Sequence, residues 1–233
     1  MEIFFMRSTS FETLIKSLNP HSLIDASISK KDYVPLDLSI SNSDLLSYDL
    51  SSSEALEDYI LSHLRKNNAK VAFGGYIERR GIYNRSKHFN RPNPEEERNI
   101  HLGLDIWIAA GTPIFAPLDG LVHSFNNNTN YGDYGPTIIL QHSIENHKFY
   151  TLYGHLSVES ISNLEVGLEV KRGDKFASLG TSKVNGDYSP HLHFQIIKDI
   201  QNQKGDYPGV CNQIDLEFYK NNCPDPQLLF KLN

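Results

Sequence analysis

Between Asn99 and Ile108 every even position is apolar: Ile100, Leu102, Leu104, Ile106 and Ile108 alternate with His101, Gly103, Asp105 and Trp107. A period of two is the mark of a strand with one buried face. The stretch therefore commits the chain to β structure and sets His101, Gly103 and Asp105 on the opposite face. On a straight strand His101 and Asp105 would stand about 13 Å apart, too far to share one ion whose ligands lie within about 2.2 Å of it. Either they do not share a metal, or the chain bends between them. Gly103 is where a bend costs least, because glycine accepts backbone angles that strain other residues.

His191-Leu192-His193 sits on a second strand-like run, Ser189 to Ile196. Residues two apart share a face at a spacing of about 6.6 Å, so one imidazole can bind a metal while its neighbour reaches a water beside that metal. Alone, the pair would equally suit two exposed or hydrogen-bonded histidines. A third run, Tyr150-Thr151-Leu152-Tyr153-Gly154-His155-Leu156-Ser157, ends in a histidine at a strand-to-loop boundary, a common position for catalytic groups.

Taken together, His101-X-X-X-Asp105, Gly154-His155-Leu156-Ser157 and His191-Leu192-His193 resemble the signature of the lysostaphin-type (LytM-like) zinc metallopeptidases, which are peptidoglycan DD-metalloendopeptidases. The resemblance continues through residues 110–120, through 166–174 with their Val-Gly-X-X-Val hairpin, and through Leu179-Gly180, and it spans residues 99 to 198. It implies a mainly β fold, an antiparallel sheet or sandwich core like a duplicated hybrid motif. It implies one Zn2+ per chain, with His101, Asp105 and His193 as ligands and a fourth position for water. His191 would be the general base, and His155 would orient the water or stabilise the developing oxyanion. The implied reaction is hydrolysis of an amide bond in a short peptide, such as a peptidoglycan cross-link or a turnover fragment. All five positions are filled, unlike members of the family that lack ligands and act as activators or scaffolds.

Two stretches depart from the wall-lytic pattern: residues 183–190, in place of a Gly/Ser-rich turn ending in Gly-Pro, and residues 205–211. Both are similar to a branch in which this domain is fused to phosphotransferase-like and class III aminotransferase domains. The alternative function is thus a non-hydrolytic module that binds zinc or a small ligand and acts with metabolic enzymes. A phosphohistidine site of the kind found in sugar phosphocarriers gains nothing from the carboxylate of Asp105.

Around this core the chain divides into a helical N-terminal extension (1–70), a connecting segment and loop (71–98), the β core (99–200) and a C-terminal tail with a short helix (201–233). Phe11, Leu14, Ile15 and Leu18 have helical spacing, ended by Asn19-Pro20. Residues 21–50 read as short helices and loops. Residues 51–67 read as a second helix, with Ser51 and Glu54 as a capping box and Leu56, Ile60 and Leu64 on one face. The polar residues 81–98 form a solvated loop or lie across the site, with Tyr83 or Arg85 on the substrate and Asn84 or Asn90 placed to block the zinc. Tyr131 and Tyr134, in a turn-rich stretch (126–135) that joins two strands, would line a groove with Trp107, although core packing explains Trp107 equally well. His21, His63, His88, His123, His142 and His147 match no motif and read as surface or packing residues.

A helix is expected over 214–221, between Cys211 and Cys223. Those two cysteines would pair in an oxidising compartment and remain thiols in a reducing one. The net charge of −6 offers no basic surface for nucleic acid, and no apolar run approaches a membrane span. The first seven residues lack the basic start and long apolar core of a signal peptide. The chain as written therefore reads as cytoplasmic, with export by another route or removal of a leader left open. The expected partner is a peptide or a peptidoglycan-derived substrate.

Overall fold

The computed structural model describes residues 10–49, 52–86, 89, 91, 93 and 95–232. Residues 1–7, Ser51, His88 and Asn90, all singled out above, lie outside the described residues. In chain order the elements are α1 (Phe11–Ser17), β1 (Tyr33–Pro35), α2 (Ser53–Lys66), β2 (Val71–Gly74), β3 (Ile100–His101), β4 (Leu104–Trp107), β5 (Pro113–Phe115), β6 (Gly120–Asn128) and β7 (Gly135–Ile144). There follow β8 (His147–Gly154), α3 (Glu159–Ser162), β9 (Glu169–Val170), β10 (Lys175–Ser178), β11 (His191–Ile197), β12 (Val210–Cys211), α4 (Leu216–Asn222) and α5 (Gln227–Phe230). Three 3-10 turns, Lys30–Asp32, Ser43–Ser47 and Ile82–Arg85, fall within the N-terminal 99 residues.

The fold is mainly β. One sheet of eight strands in the order β1-β2-β4-β11-β8-β7-β6-β9 carries the molecule, and two two-stranded sheets, β10-β5 and β12-β3, flank it. Every pairing in the large sheet is antiparallel except β1 with β2. The 99–200 strands are thus extended at one edge by β1 and β2, which come from the segments before them. Val71-Ala72-Phe73 is too short an apolar run to declare itself a strand, yet all three side chains are buried beside β4.

β11 is the centre of the sheet and is buried along its whole length. Leu192, Phe194 and Ile196 point into the main core with Leu104, Ile106, Ile138, Leu140 and Tyr153. Each large apolar side chain removed from water there contributes roughly 1.5–3 kcal/mol. Alternation then forces His191, His193 and Gln195 onto the other face, where they are also buried.

The expected period-two face of residues 100–108 is real, with Ile100, Leu102, Leu104 and Ile106 all buried. It is split between two clusters, however: Leu104 and Ile106 pack in the main core, whereas Ile100 and Leu102 pack with Cys211. The strand breaks at Leu102-Gly103 into β3 and β4, so one stripe serves two cores.

Local signals elsewhere hold with small shifts. α1 is capped by the Ser10 hydroxyl, which accepts from Thr13 N–H, and it buries Leu14 and Ile15. α2 takes its cap from Ser52, whose hydroxyl accepts from Ala55 N–H. The cap therefore lies one residue after the expected Ser51, and Leu56 and Ile60 are buried as the spacing requires. β6 runs three residues into the stretch expected as a loop, because Asn128 is held by hydrogen bonds to Thr137 Oγ1 and the Gly205 carbonyl. Cys211 and Cys223 are separate buried thiols. Among the described residues, no helix is long and apolar enough to cross a membrane.

Candidate metal centre

Sheet register does most of the assembly. On β11 and β4, His193 stands directly opposite Asp105 and His191 opposite Trp107. On the other side His193 faces Gly154, the last residue of β8, and His155 follows in a left-handed conformation (φ 63°) that turns its ring back over the sheet. His101 arrives from β3, which pairs with β12 through Val210. The break at Gly103 closes the 13 Å expected of a straight strand: His101 Nε2 lies 3.3 Å from Asp105 Oδ1. Gly103 is required for space. A Cβ there would lie 2.5 Å from His193 Cε1, 2.7 Å from its Nε2 and 2.8 Å from the Phe194 carbonyl oxygen.

Three donor atoms converge. His101 Nε2 and His193 Nδ1 are 2.8 Å apart, and Asp105 Oδ1 is 3.2 Å from His193 Nδ1. Donors at about 2.0–2.2 Å from a tetrahedral ion stand about 3.3–3.5 Å from one another, so small adjustments suit this triad to one ion. Asp105 Oδ1 is buried and makes no hydrogen bond, an orphaned acceptor of the kind that a cation satisfies. His191 Nε2 lies slightly further off, 3.8 Å from Asp105 Oδ1, and its ring centroid is 4.2 Å from that of His155.

The second nitrogen of each of the four imidazoles is tied to an oxygen pointing away from this centre. His101 Nδ1 is 2.9 Å from the Gly75 carbonyl oxygen, His193 Nε2 is 3.0 Å from Gln195 Oε1, His191 Nδ1 is 2.7 Å from the Ser189 carbonyl and His155 Nδ1 is 2.8 Å from the Asn185 carbonyl. A carbonyl can only accept, so each of these nitrogens carries the proton and the inward nitrogen carries a lone pair. Gln195 is itself fixed with its oxygen toward His193, because its amide donates to the Pro208 carbonyl and to Cys223 Sγ.

Burial keeps the His101, His155 and His191 rings neutral. It lowers the pKa of His101 to about 4, with the nearby Arg80 charge adding to the effect, and it lowers those of His155 and His191 as well. Burial works against ionisation of Asp105, but the charge of the Arg80 guanidinium paired with it overcomes this and holds the carboxyl well below the usual carboxylate range. The centre is thus one carboxylate among imidazole lone pairs, with a deficit of positive charge at the convergence point.

Sequence reasoning missed Arg80, which nothing in the polar run around it distinguishes. Its Nη1 donates to Asp105 Oδ2 at 2.6 Å and its Nε to Glu78 Oε2 at 2.5 Å, and Glu78 Oε1 accepts from Leu38 N–H. Arg80 reaches Asp105 because residues 77–80 run beside 99–101: Ile77 N–H donates to His101 O, His101 N–H to Glu78 O and Arg80 N–H to Asn99 O. Gly75 (φ 102°) leaves room for this guanidinium, which a Cβ would strike.

The residues expected on the substrate fall in two places. Tyr83 and Tyr134 are buried and line the cavity beside the centre. The Tyr134 hydroxyl sits 3.3 Å from His193 Nε2 and 3.3 Å from the Tyr207 carbonyl. Arg85 and Tyr131 are not among that cavity's lining residues. Arg85 holds the Asp187 carbonyl and carboxylate and stacks on Tyr188 and Tyr131. Tyr131 is half-exposed over a separate polar pocket with Asn127 and Lys183. Asn84 is exposed. Trp107 meets both expectations, since it is buried in a cluster with Tyr83 and Tyr188 and stacks on His191.

Comparison with known proteins gives the following. Residues 99–206 match the model described as "Peptidase family M23". An uncharacterized metalloprotease of Haemophilus influenzae is 34% identical over 107 residues, which is 46% of this chain and 20% of that protein. The peptidoglycan DD-endopeptidase ShyA of Vibrio cholerae is 33% identical over 98 residues, 42% of this chain and 20% of that protein. The chain therefore spans about a fifth of the length of these curated relatives. Among solved structures, the catalytic domain of lysostaphin from Staphylococcus simulans aligns at 25% identity and a TM-score of 0.36, covering 52% of this chain and 80% of that one. The matched residues 99–206 include all five converging side chains, and the match supports peptidase family M23 for that segment.

Proposed function

We propose that this chain is a zinc-dependent peptidase that hydrolyses an amide bond in a short peptide, with peptidoglycan cross-links and their turnover fragments as the first substrates to try. One observation carries the reading: four imidazoles each have one ring nitrogen anchored outward on an oxygen and the other directed at a carboxylate oxygen that lacks a partner. Three nitrogen and oxygen donors with room for a fourth group suit a catalytic zinc site, and the outward anchoring is what such ligands need. The names of the curated relatives, a metalloprotease and DD-endopeptidases, agree with this reading.

In this proposal His101 Nε2, His193 Nδ1 and Asp105 Oδ1 hold one Zn2+. When bound, the ion supplies Lewis acidity to the substrate carbonyl and acidifies water. His191 is the general base. Its Nδ1–H is fixed on Ser189, so Nε2 accepts the proton of the attacking water and returns it to the leaving amine nitrogen. His155, with its proton on Nδ1, has only an acceptor to offer at Nε2. It can therefore receive a hydrogen bond from the attacking water, but it cannot donate one to an oxyanion while it is neutral, which favours the orienting role of the two expected for it. Arg80 leaves Asp105 one free oxygen by occupying the other.

The fused-branch assignment belongs to the same proposal and rests only on residues 183–190 and 205–211. The non-hydrolytic module is its competitor, and one experiment separates them. Metal content is measured in wild type, His101→Ala and His193→Ala, and peptide turnover in His191→Gln. One zinc per chain, lost in both alanine variants, with turnover lost and zinc kept in His191→Gln, is the expected result. A wild type that cannot be loaded with zinc sinks the proposal, and turnover unaffected by His191→Gln sinks the assigned base.

A further inference from the structure

The cavity that opens on the candidate centre is small, polar toward the centre and apolar along part of its wall. Its volume is about 170 Å³, and at one end lie His101, Asp105, His155, His191 and His193. Its other walls include Leu38, Leu56, Ile82, Tyr83, Trp107 and Tyr188, each no more than 7% exposed. Leu38 follows β1, Leu56 lies on α2, and Ile82 and Tyr83 belong to a 3-10 turn. These four come from the chain before residue 99, outside the segment matched to the peptidase family. The extension and the connecting segment therefore both supply part of the cavity wall. No residue of the site itself is more than 5% exposed, so a substrate reaches it through this cavity.

The walls also decide the chemistry of the guest. An apolar pocket of about 150 Å³ accepts a group the size of benzene, so this one has room for a single large side chain next to the reacting bond. A charged side chain would lose its hydration against Leu38, Leu56 and Ile82 with no counter-charge from them. Arg80, the cation nearest the centre, is already paired with Asp105 and Glu78; of the other charged residues on the cavity wall, Arg98 donates to the Val210 carbonyl, Asp133 accepts from Tyr134 N–H and the Asn130 amide, and Asp206 also lines it. A glycine or alanine would leave the pocket unfilled.

We propose that the site takes short, free peptides or simple amides that carry a bulky apolar or aromatic side chain beside the scissile bond, and that residues 38–83 impose this choice. The inference rests on the peptidase reading and narrows it from cross-links in a polymer to small apolar substrates. The reaction is plain hydrolysis: water oxygen bonds to the carbonyl carbon, the C–N bond breaks, and the amine leaves with a proton. Differences of one or two methylenes in such a pocket change kcat/KM by about 10–200-fold, so leucyl or phenylalanyl substrates should exceed glycyl ones by at least about 100-fold.

The test uses the full, zinc-loaded chain with blocked di- and tripeptides bearing Leu, Phe, Ala or Gly on either side of the bond, together with intact peptidoglycan. Binding is read separately in zinc-free protein, through the fluorescence of Trp107, the single tryptophan of the chain, titrated with N-acetyl-leucinamide and N-acetyl-glycinamide. Cleavage ordered Leu or Phe well above Ala above Gly, no release from intact peptidoglycan, and quenching by the leucine amide alone would support the inference. In Leu56→Phe, which fills part of the cavity, the Leu-to-Gly preference should fall about tenfold. In Leu56→Ala it should shift toward Phe. Glycyl substrates cleaved as fast as leucyl ones, or rapid release from intact peptidoglycan, would overturn the inference and leave the peptidase reading standing. Failure of zinc-loaded protein to cleave any member overturns the peptidase reading, and the inference with it.

Discussion

Replacing Gly103 by alanine adds one methyl group and should cost the candidate centre its affinity for the proposed zinc ion. The new Cβ would lie 2.5 Å from His193 Cε1 and 2.7 Å from its Nε2. Carbon contacts settle at about 3.5–4.0 Å, so the ring must retreat by about 1 Å, whereas ligand positions are tolerated only to about 0.2 Å. Retreat along the backbone is closed as well. The Phe194 carbonyl lies 2.8 Å from the same Cβ, and Phe194 is paired to Leu104 on one side and Tyr153 on the other. Disturbing a group that merely orients a ligand lowers metal affinity about 10–100-fold, and moving the ligand itself should exceed that, reaching about 1,000-fold or about 4 kcal/mol. The overpacked metal-free fold should lose about 1–3 kcal/mol, a fall in Tm of about 2–12 °C for a chain of this size. Competitive titration of zinc against a chromophoric chelator reads the first quantity and thermal unfolding of zinc-free protein the second. Gly111→Ala is the control, since nothing lies within 4 Å of its Cβ and only its φ of 80° resists the change; it should cost about 1 kcal/mol and leave zinc affinity alone. A Gly103→Ala protein that binds zinc within threefold of wild type would refute the space argument.

Three further outcomes follow from buried groups. His142 is buried between the Asp119 carbonyl and Thr151 Oγ1, and burial lowers its pKa to about 4. The unfolded chain takes up this proton below about pH 6.5 and the folded chain does not until about pH 4, so the stability is complete above pH 6.5 and is lost as the pH falls toward 4, by about 3 kcal/mol. Urea unfolding of wild type and His142→Gln at pH 7 and pH 4.5 checks the sign, and equal acid losses in the two would contradict it. Arg80→Gln leaves buried Asp105 and partly buried Glu78 without their cation and should destabilise zinc-free protein by about 3–5 kcal/mol; added zinc should raise the Tm of this variant more than that of wild type, because the ion restores positive charge beside Asp105. Cys211 and Cys223 are buried with their pKa values pushed up to about 12 by burial, so neither should react with a thiol reagent at pH 8 until the chain is unfolded, and rapid labelling of the native protein would show the tail to be loosely packed.

The parts of the site that could be read in the sequence are those fixed by strand periodicity. The alternations at residues 100–108 and 191–196 predict which side chains share a face, and register then sets His193 against Asp105. The break at Gly103 was legible as a place where the chain could bend, but not its cause, since the tight contact is with a ring 90 residues away. Anchors that are backbone carbonyls, such as Gly75 on His101 and Asn185 on His155, leave no trace in residue identity. Arg80 was illegible for a related reason: beside Arg79 in a polar run it looks like any exposed cation, and only the pairing of residues 77–80 with 99–101 brings it inside. Gln195 carried a partial signal, because it continues the His191, His193 face of a strand that is buried throughout.

These late-found residues share an origin, and it bears on what the functional unit is. Gly75, Glu78 and Arg80 all precede the segment matched to the peptidase family, yet they act on His101 and Asp105 directly. β2 pairs along β4 with Gly74 opposite Asp105. Removing residues 71–80 would make β4 an edge strand and leave Asp105 without Arg80, and His101 Nδ1 would lose its only hydrogen bond among the described residues. A neutral imidazole without that anchor is free to rotate or to place its proton on the inward nitrogen, and either change removes a lone pair from the centre. The chain before residue 99 also supplies Leu38, Leu56, Ile82 and Tyr83 to the cavity wall. Ligand alignment and the shape of the cavity thus both depend on the chain before residue 99, so the connecting segment above all is part of the candidate site and not an addition to it.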